Sequence, residues 1–178
     1  MSEATVPFPL MQWIADHAEE FVPPVSNRVI WPDSDITFMI IRGPNARNDF
    51  HVNPTDEIFY QLRGTIRVDV RDDEGVHQRL VHEGDVMLVP AGTPHAPLRP
   101  ADTWGLVLEV PRPPDALDRM QWYCPACDHL LHEVTFDLAD IETELAAALD
   151  RVNADEELRT CERCGTVLPV PGPFELDA

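Results

Sequence analysis

In "TIRVDVR", residues 65–71, Ile66, Val68 and Val70 alternate with Arg67, Asp69 and Arg71. That period of two marks a strand with one buried and one wet face. Further short runs of the same texture fill the chain from Arg28 to about Val110: "RVIW", "DITFMIIRG", "EIFYQLRG", "VHQRLV", "DVMLVP" and "WGLVLEV". Pro-Asp, Gly-Pro-Asn, Arg-Gly, Asp-Asp-Glu-Gly and Pro-Ala-Gly separate them, and each is turn chemistry. Seven or more short strands with no helix between them predict an antiparallel β-sandwich or jelly-roll barrel.

Helical spacing occurs twice. Met11, Ile14, Ala15 and Ala18 in "MQWIADHAEEFV" predict a short leading helix over 11–22 that stops before Pro23-Pro24. Ile141, Leu145, Leu149 and Val152 in "DIETELAAALDRVNADEE" predict one amphipathic helix near the end of the chain. The proline-rich "PRPPDALDRM" lies between the two textures. It suggests a β-barrel with its helix over 1–112 and a C-terminal extension over 113–178.

With 178 residues, 44% hydrophobic and 25% charged, the chain supports one main core and a small appendage. Thirteen Lys+Arg against 32 Asp+Glu give a net charge of -19, which repels phosphate backbones and anionic lipid. Neither nucleic acid nor membrane is an expected partner. The first 27 residues contain no Lys or Arg, and no apolar run reaches the roughly 20 residues of a membrane span. A cytoplasmic location is expected.

Four cysteines form two C-x2-C pairs, Cys124/Cys127 and Cys161/Cys164, with 33 residues between them. Two such turns point four thiolates at a common centre, the donor set of a closed structural zinc or iron site. His129 and His132, near the first pair, are read as ordinary polar residues because four sulfurs already complete a tetrahedron.

A second ligand set lies inside the β region: His51, Glu57 and His95. An extended chain would hold His51 and Glu57 roughly 20 Å apart, so the Asn53-Pro54 pair is expected to bend it. His51 then comes from a loop and Glu57 from the start of the next strand. His95 returns from the turn after "DVMLVP". Two imidazoles and one carboxylate on one side of a metal leave about three positions for ligands, as suits ferrous iron.

These residues also carry a resemblance. "Gly84-x5-Pro90-x-Gly92-x2-His95" resembles the second motif of the cupin superfamily. "His51-x5-Glu57-x6-Gly64" resembles a variant of the first, with Asp49 and His51 where the usual motif has two histidines. Over nearly all of residues 7–168 the chain is similar to the bacterial 3-hydroxyanthranilate 3,4-dioxygenase family, through "PPVSNR", "GPNARNDFH", "EIFYQLRG", "EGDVMLVPAGTPHAPLRP", "LVLEVPRP" and both cysteine pairs.

The resemblance implies a cupin jelly-roll barrel with a small rubredoxin-like C-terminal knuckle segment. It implies catalytic Fe2+ on His51, Glu57 and His95, and structural iron or zinc on the four cysteines. Arg47 and Arg99 would bind the substrate carboxylate, and Glu109 would assist deprotonation of the ring hydroxyl. Val25, Asn27, Ile41, Phe59, Pro97 and Glu57 itself would contact substrate. The implied reaction takes 3-hydroxyanthranilate and O2 to 2-amino-3-carboxymuconate semialdehyde, the precursor of quinolinate in tryptophan catabolism and NAD synthesis, in a homodimer. Two other readings remain open: a related dioxygenase acting on a substituted 3-hydroxyanthranilate or a 2-aminophenol, and a metal-bearing cupin that only binds a ligand.

Overall fold

The structure, a computed structural model, describes residues 6–22, 26–137, 141 and 143–176. Eleven strands are named among them: β1 Asn27–Val29, β2 Thr37–Arg42, β3 Phe50–Val52, β4 Glu57–Arg63, β5 Ile66–Asp72, β6 Gly75–Val81, β7 Val86–Val89, β8 His95–Leu98, β9 Trp104–Glu109, β10 Asp118–Tyr123 and β11 Leu130–Phe136. The helices are α1 Leu10–His17, α2 Glu144–Ala154 and α3 Glu156–Arg159.

The antiparallel pairing is nested. Strand β5 pairs with β6, β4 with β7, β3 with β8 and β2 with β9. One long hairpin is thus rolled into two facing sheets, of order β1-β2-β9-β4-β7 and β11-β10-β3-β8-β5-β6. This is the expected jelly roll. The alternation read in β5 appears only in its first half: Ile66 and Val68 are fully buried and Arg67 is half-buried, but Asp69 and Arg71, expected on the wet face, are buried too, and Val70 is only half-buried. Arg67 and Asp69 pair with each other, and Arg71 pairs with Asp128, so ion pairs on this face cover the polar positions. Between the sheets lie Met39, Phe59, Val89 and Val107, with Ile66, Val68 and Val81 beside them. Fully burying such a side chain contributes roughly 1.5–3 kcal/mol.

Helix α1 covers the outer face of the first sheet, packing Ile14 against Ile40, Trp104 and Leu106. It is shorter than the sequence pattern suggests. After His17 the chain tightens to a 3-10 turn, Ala18–Glu20, and Phe21 packs edge-on against Trp104 with ring centroids 5.0 Å apart. The expected single C-terminal helix is divided at Asp155, whose side chain accepts a hydrogen bond from Glu157 N and so caps α3.

Beyond the connector, β10 pairs with β3, and β11 pairs with β10. The segment after residue 112 therefore supplies two strands to the barrel's own sheet. A core of Met120, Trp122, Leu145, Leu149, Val152 and Leu168 holds α2 against it. Among the described residues no helix is long and apolar enough to cross a membrane.

Candidate active site

Strands β3 and β8 place His51 directly opposite His95, with ring centroids 5.5 Å apart. His51 thus lies in a strand, not in the loop expected from its sequence. Hydrogen-bonded neighbours on both sides, β8 and β10, hold this three-residue strand extended despite its polar flanks. The expected bend is present. Asn53 Oδ1 accepts from Thr55 N and Thr55 Oγ1, each at 2.9 Å, and the chain returns Glu57 as the first residue of β4.

One donor atom from each of His51, Glu57 and His95 lies within 4.8 Å of the others, and all three residues are buried. His95 Nδ1 is 2.9 Å from Thr93 O, so the Nδ1–H donates there and Nε2 faces Glu57 Oε2 at 3.0 Å. That last contact lacks hydrogen-bond alignment, and Oε2 has no hydrogen-bond partner among the described residues. Burial raises the Glu57 carboxyl, but the lowering effects of its neighbours, His95 first and His51 after it, together outweigh burial and hold the group below its ordinary value. Burial likewise opposes protonation of His95, and Glu57 reverses the balance upward. Burial lowers His51 against the opposing contact with Asp118.

Glu109 stands opposite Glu57 in the β4/β9 register and is 1% exposed. Burial, reinforced by the Glu57 charge, pushes its carboxyl up to about 7 despite the Arg112 guanidinium. Arg99 is equally buried. Its Nη1 reaches Gln61 Oε1 at 3.2 Å, while Nε and Nη2 have no hydrogen-bond partner among the described residues. Desolvation lowers this guanidinium to about 10. Arg47 is already engaged, its Nε and Nη2 forking onto Asp49 at 2.9 and 2.6 Å, and it lines a cavity with Phe50, Arg67 and Arg71 that does not include His51, Glu57 or His95.

Phe59 lies 5.9 Å from the His95 ring, centroid to centroid. Pro97 follows His95 by two residues in β8, and its carbonyl accepts from Asn45 Nδ2. Asn27 and Ile41 pair across β1 and β2. Asn27 Nδ2 also donates to Ile141 O at 3.3 Å, tying this wall to the segment before α2. Val25 lies outside the described residues.

The four cysteines converge as a separate cluster. Cys124 Sγ is 3.5 Å from Cys164 Sγ, and Cys127 Sγ is 3.6 Å from Cys161 Sγ. A disulfide needs about 2.05 Å. The edge of a tetrahedron with 2.3 Å metal–sulfur bonds is about 3.8 Å, so the spacing suits a shared ion. The Thr166 hydroxyl and backbone hold Cys164 down to about 6, toward the thiolate that a metal requires.

A family model described as 3-hydroxyanthranilic acid dioxygenase matches residues 1–153. The chain belongs to that family. A 3-hydroxyanthranilate 3,4-dioxygenase of Bacillus thuringiensis is 43% identical over 95% of both chains, and one of Neurospora crassa is 41% identical, also over 95% of both. A cupin-2 domain protein of Shewanella frigidimarina aligns over 56% of this chain and 92% of its own, at 24% identity and a TM-score of 0.45.

For this dioxygenase family member the donor set fits a metal. Two imidazoles and a carboxylate converge, and the facing Glu57 Oε2 lacks a hydrogen-bond partner. Ligation needs His95 neutral, so metal binding would release the proton that the Glu57 pair favours. Sequence reasoning missed Arg112, Asp118 and Gln61. Arg112 lies in a proline-rich connector that reads as a linker. Asp118 opens a strand whose pattern was not recognised.

Proposed function

We propose that the protein cleaves the ring of 3-hydroxyanthranilate with O2, giving 2-amino-3-carboxymuconate semialdehyde, at a ferrous site on His51, Glu57 and His95. The observation that carries this reading is Arg99. A guanidinium that is 1% exposed, with two nitrogens that have no hydrogen-bond partner among the described residues, calls for an anion. A planar carboxylate meets it as a charge-assisted fork. In this reading Arg47 also attracts that carboxylate, and the ring bearing it extends toward the His/Glu/His cluster against Phe59 and Pro97.

Bound iron supplies open coordination positions and the redox chemistry that couples the substrate to O2. The protein's own residues do the remainder. Glu109, whose carboxyl its surroundings bring up to about 7, takes the proton from the ring hydroxyl in its ionised form. Arg99 and Arg47 orient the acid. The second metal, iron or zinc on Cys124, Cys127, Cys161 and Cys164, is structural because four thiolates leave no open position. In this reading the enzyme works in the cytoplasm as a homodimer, and its product closes to quinolinate, a route to NAD or a step of tryptophan breakdown.

Anaerobic reconstitution with ferrous iron, followed by oxygen uptake and the product spectrum, tests the proposal. Stoichiometric uptake with 3-hydroxyanthranilate is expected, with little from 2-aminophenol, which lacks the carboxylate. Equal turnover of both would overturn the role of Arg99. No uptake with any aminophenol would leave a ligand-binding protein.

A further inference from the structure

Four side chains from four segments meet behind the His/Glu/His cluster. Asp118, at the start of β10, is fully buried. Its Oδ1 lies 2.7 Å from His51 Nε2 and 2.8 Å from Arg112 Nη2, and its Oδ2 accepts from Arg112 Nε at 2.5 Å. The third nitrogen of the same guanidinium, Nη1, is 2.9 Å from Glu109 Oε2, an ion-pair contact that lacks hydrogen-bond alignment. One arginine thus joins the carboxylate behind His51 to the carboxylate proposed as the proton acceptor.

The chemistry of each contact is directional. A neutral imidazole has one N–H. A carboxylate held by an arginine fork accepts from His51 Nε2–H, which leaves the lone pair on Nδ1 as the atom to offer a metal. Arg112 lies between Pro111 and Pro113, whose fixed φ angles stiffen the connector that carries it. Its position also follows from β9 and β10, because Glu109 ends one and Asp118 begins the other. A displacement of either strand would therefore disturb His51 and Glu109 together.

We infer that Asp118 and Arg112 form a positioning unit that fixes the His51 tautomer for metal binding through Nδ1 and, through the same guanidinium, aims the Glu109 carboxylate at the substrate. The metal half of this inference stands on the donor geometry alone. The Glu109 half rests on the function proposed above.

Two variants separate the halves. Asp118→Asn keeps the shape and removes the charge. It is expected to weaken ferrous iron at the His/Glu/His site by about 10- to 100-fold, measured anaerobically without substrate by competition with a chromophoric chelator. Iron on the cysteines is told apart by its thiolate charge-transfer absorption. Nitrogen-15 histidine spectra of the metal-free protein, with His51 assigned by its loss in His51→Gln, should show the Nε2–H tautomer in the wild type and a mixture in Asp118→Asn. Arg112→Lys keeps the charge but cannot bridge both carboxylates. It is expected to lower kcat with the KM for 3-hydroxyanthranilate little changed, and its ferrous affinity, measured by the same chelator competition and expected to fall because the fork on Asp118 is lost, carries the test of the metal half should Asp118→Asn fail to fold.

Wild-type iron affinity and an unchanged His51 tautomer in a folded Asp118→Asn would overturn the metal half. Wild-type kcat in Arg112→Lys would overturn the Glu109 half. A wild-type protein that binds iron but consumes no oxygen would refute the proposed function, while the iron affinities would still decide the role of Asp118.

Discussion

Gly105 stands directly behind the guanidinium of Arg99: a β-carbon built on this glycine would lie 2.8 Å from Arg99 Nη1 and 3.0 Å from Gln61 Oε1. The Tyr60 carbonyl, 3.3 Å away, closes the remaining side. Of these three nearest atoms, the two that can move belong to the buried cation itself and to Gln61, which accepts its hydrogen bond. Gly105→Ala should therefore shift Arg99 rather than unfold β9. The expected outcome is a rise of about tenfold or more in KM for the acid, with a smaller change in kcat, measured by initial-rate kinetics on the iron-loaded enzyme.

Removing the Arg99 charge should separate stability from binding. The residue is buried, and among the described residues Nε and Nη2 have no hydrogen-bond partner, so Gln61 and the Glu57 charge offset its desolvation only in part until a carboxylate arrives. Arg99→Met should raise the Tm of the substrate-free protein. Two charge-assisted hydrogen bonds at about 1.5–3 kcal/mol each imply a loss of substrate affinity of at least about 100-fold. Calorimetry with and without 3-hydroxyanthranilate checks both signs. A lower Tm would mean that Arg99 already has a partner.

Glu57 is the sole carboxylate of the donor cluster, and Asn53 and Thr55 fix the turn that delivers it. Glu57→Ala should abolish iron binding at this cluster and all oxygen uptake, while the cysteine cluster, built from other segments, keeps its metal. Metal analysis is expected to fall from two equivalents per chain to one. Retention of both, with turnover, would remove Glu57 from the ligand set.

Glu109 sets a pH dependence whose sign follows from burial. Its folded value near 7 exceeds the ordinary 4.5, so the charged form is disfavoured in the folded chain. Its favourable contribution is full below about 4.5, declines as the pH rises, and is lost above about 7. The shift is worth up to about 3 kcal/mol at about 1.4 kcal/mol per pKa unit. Glu109→Gln should then be more stable than the wild type at pH 8 and little different at pH 4, by denaturant titration of the metal-free protein. It should also lower kcat by about 100-fold or more.

The sequence revealed most of the barrel because strands such as β5 carry period-two alternation over seven residues. It did not reveal β3 or β8 as strands. At three and four residues they are too short for a period, and β8 is buried on both faces, so nothing alternates. The ligands His51, Glu57 and His95 were still identifiable, because spacing and turn chemistry marked them without the strands. Asp118 and Arg112 were not: their meaning comes from β10 joining β3, a pairing between residues more than sixty positions apart. Gly105 shows the same limit, since a glycine inside an apolar run does not declare that a distant guanidinium lies behind it.

The pairing of β10 with β3 also makes the cysteine cluster matter to the active site. Met120 of β10 lies opposite His51, and Met120 and Trp122 share a buried core with Leu145, Leu149, Val152 and Leu168. The cysteine pairs close the two ends of this unit: Cys124 follows β10 directly, and Cys161 follows α3. Metal ligation there adds folding free energy to a small core that would otherwise be held by few contacts. Cys161→Ser should lose the structural metal and lower the Tm by several degrees or more. Because Asp118 begins the same strand, it should also weaken iron at the His/Glu/His cluster without touching any of its ligands. Metal analysis beside thermal unfolding tests this. A variant that keeps full ferrous occupancy and wild-type kcat after losing the cysteine-bound metal would show that β10 is held without it.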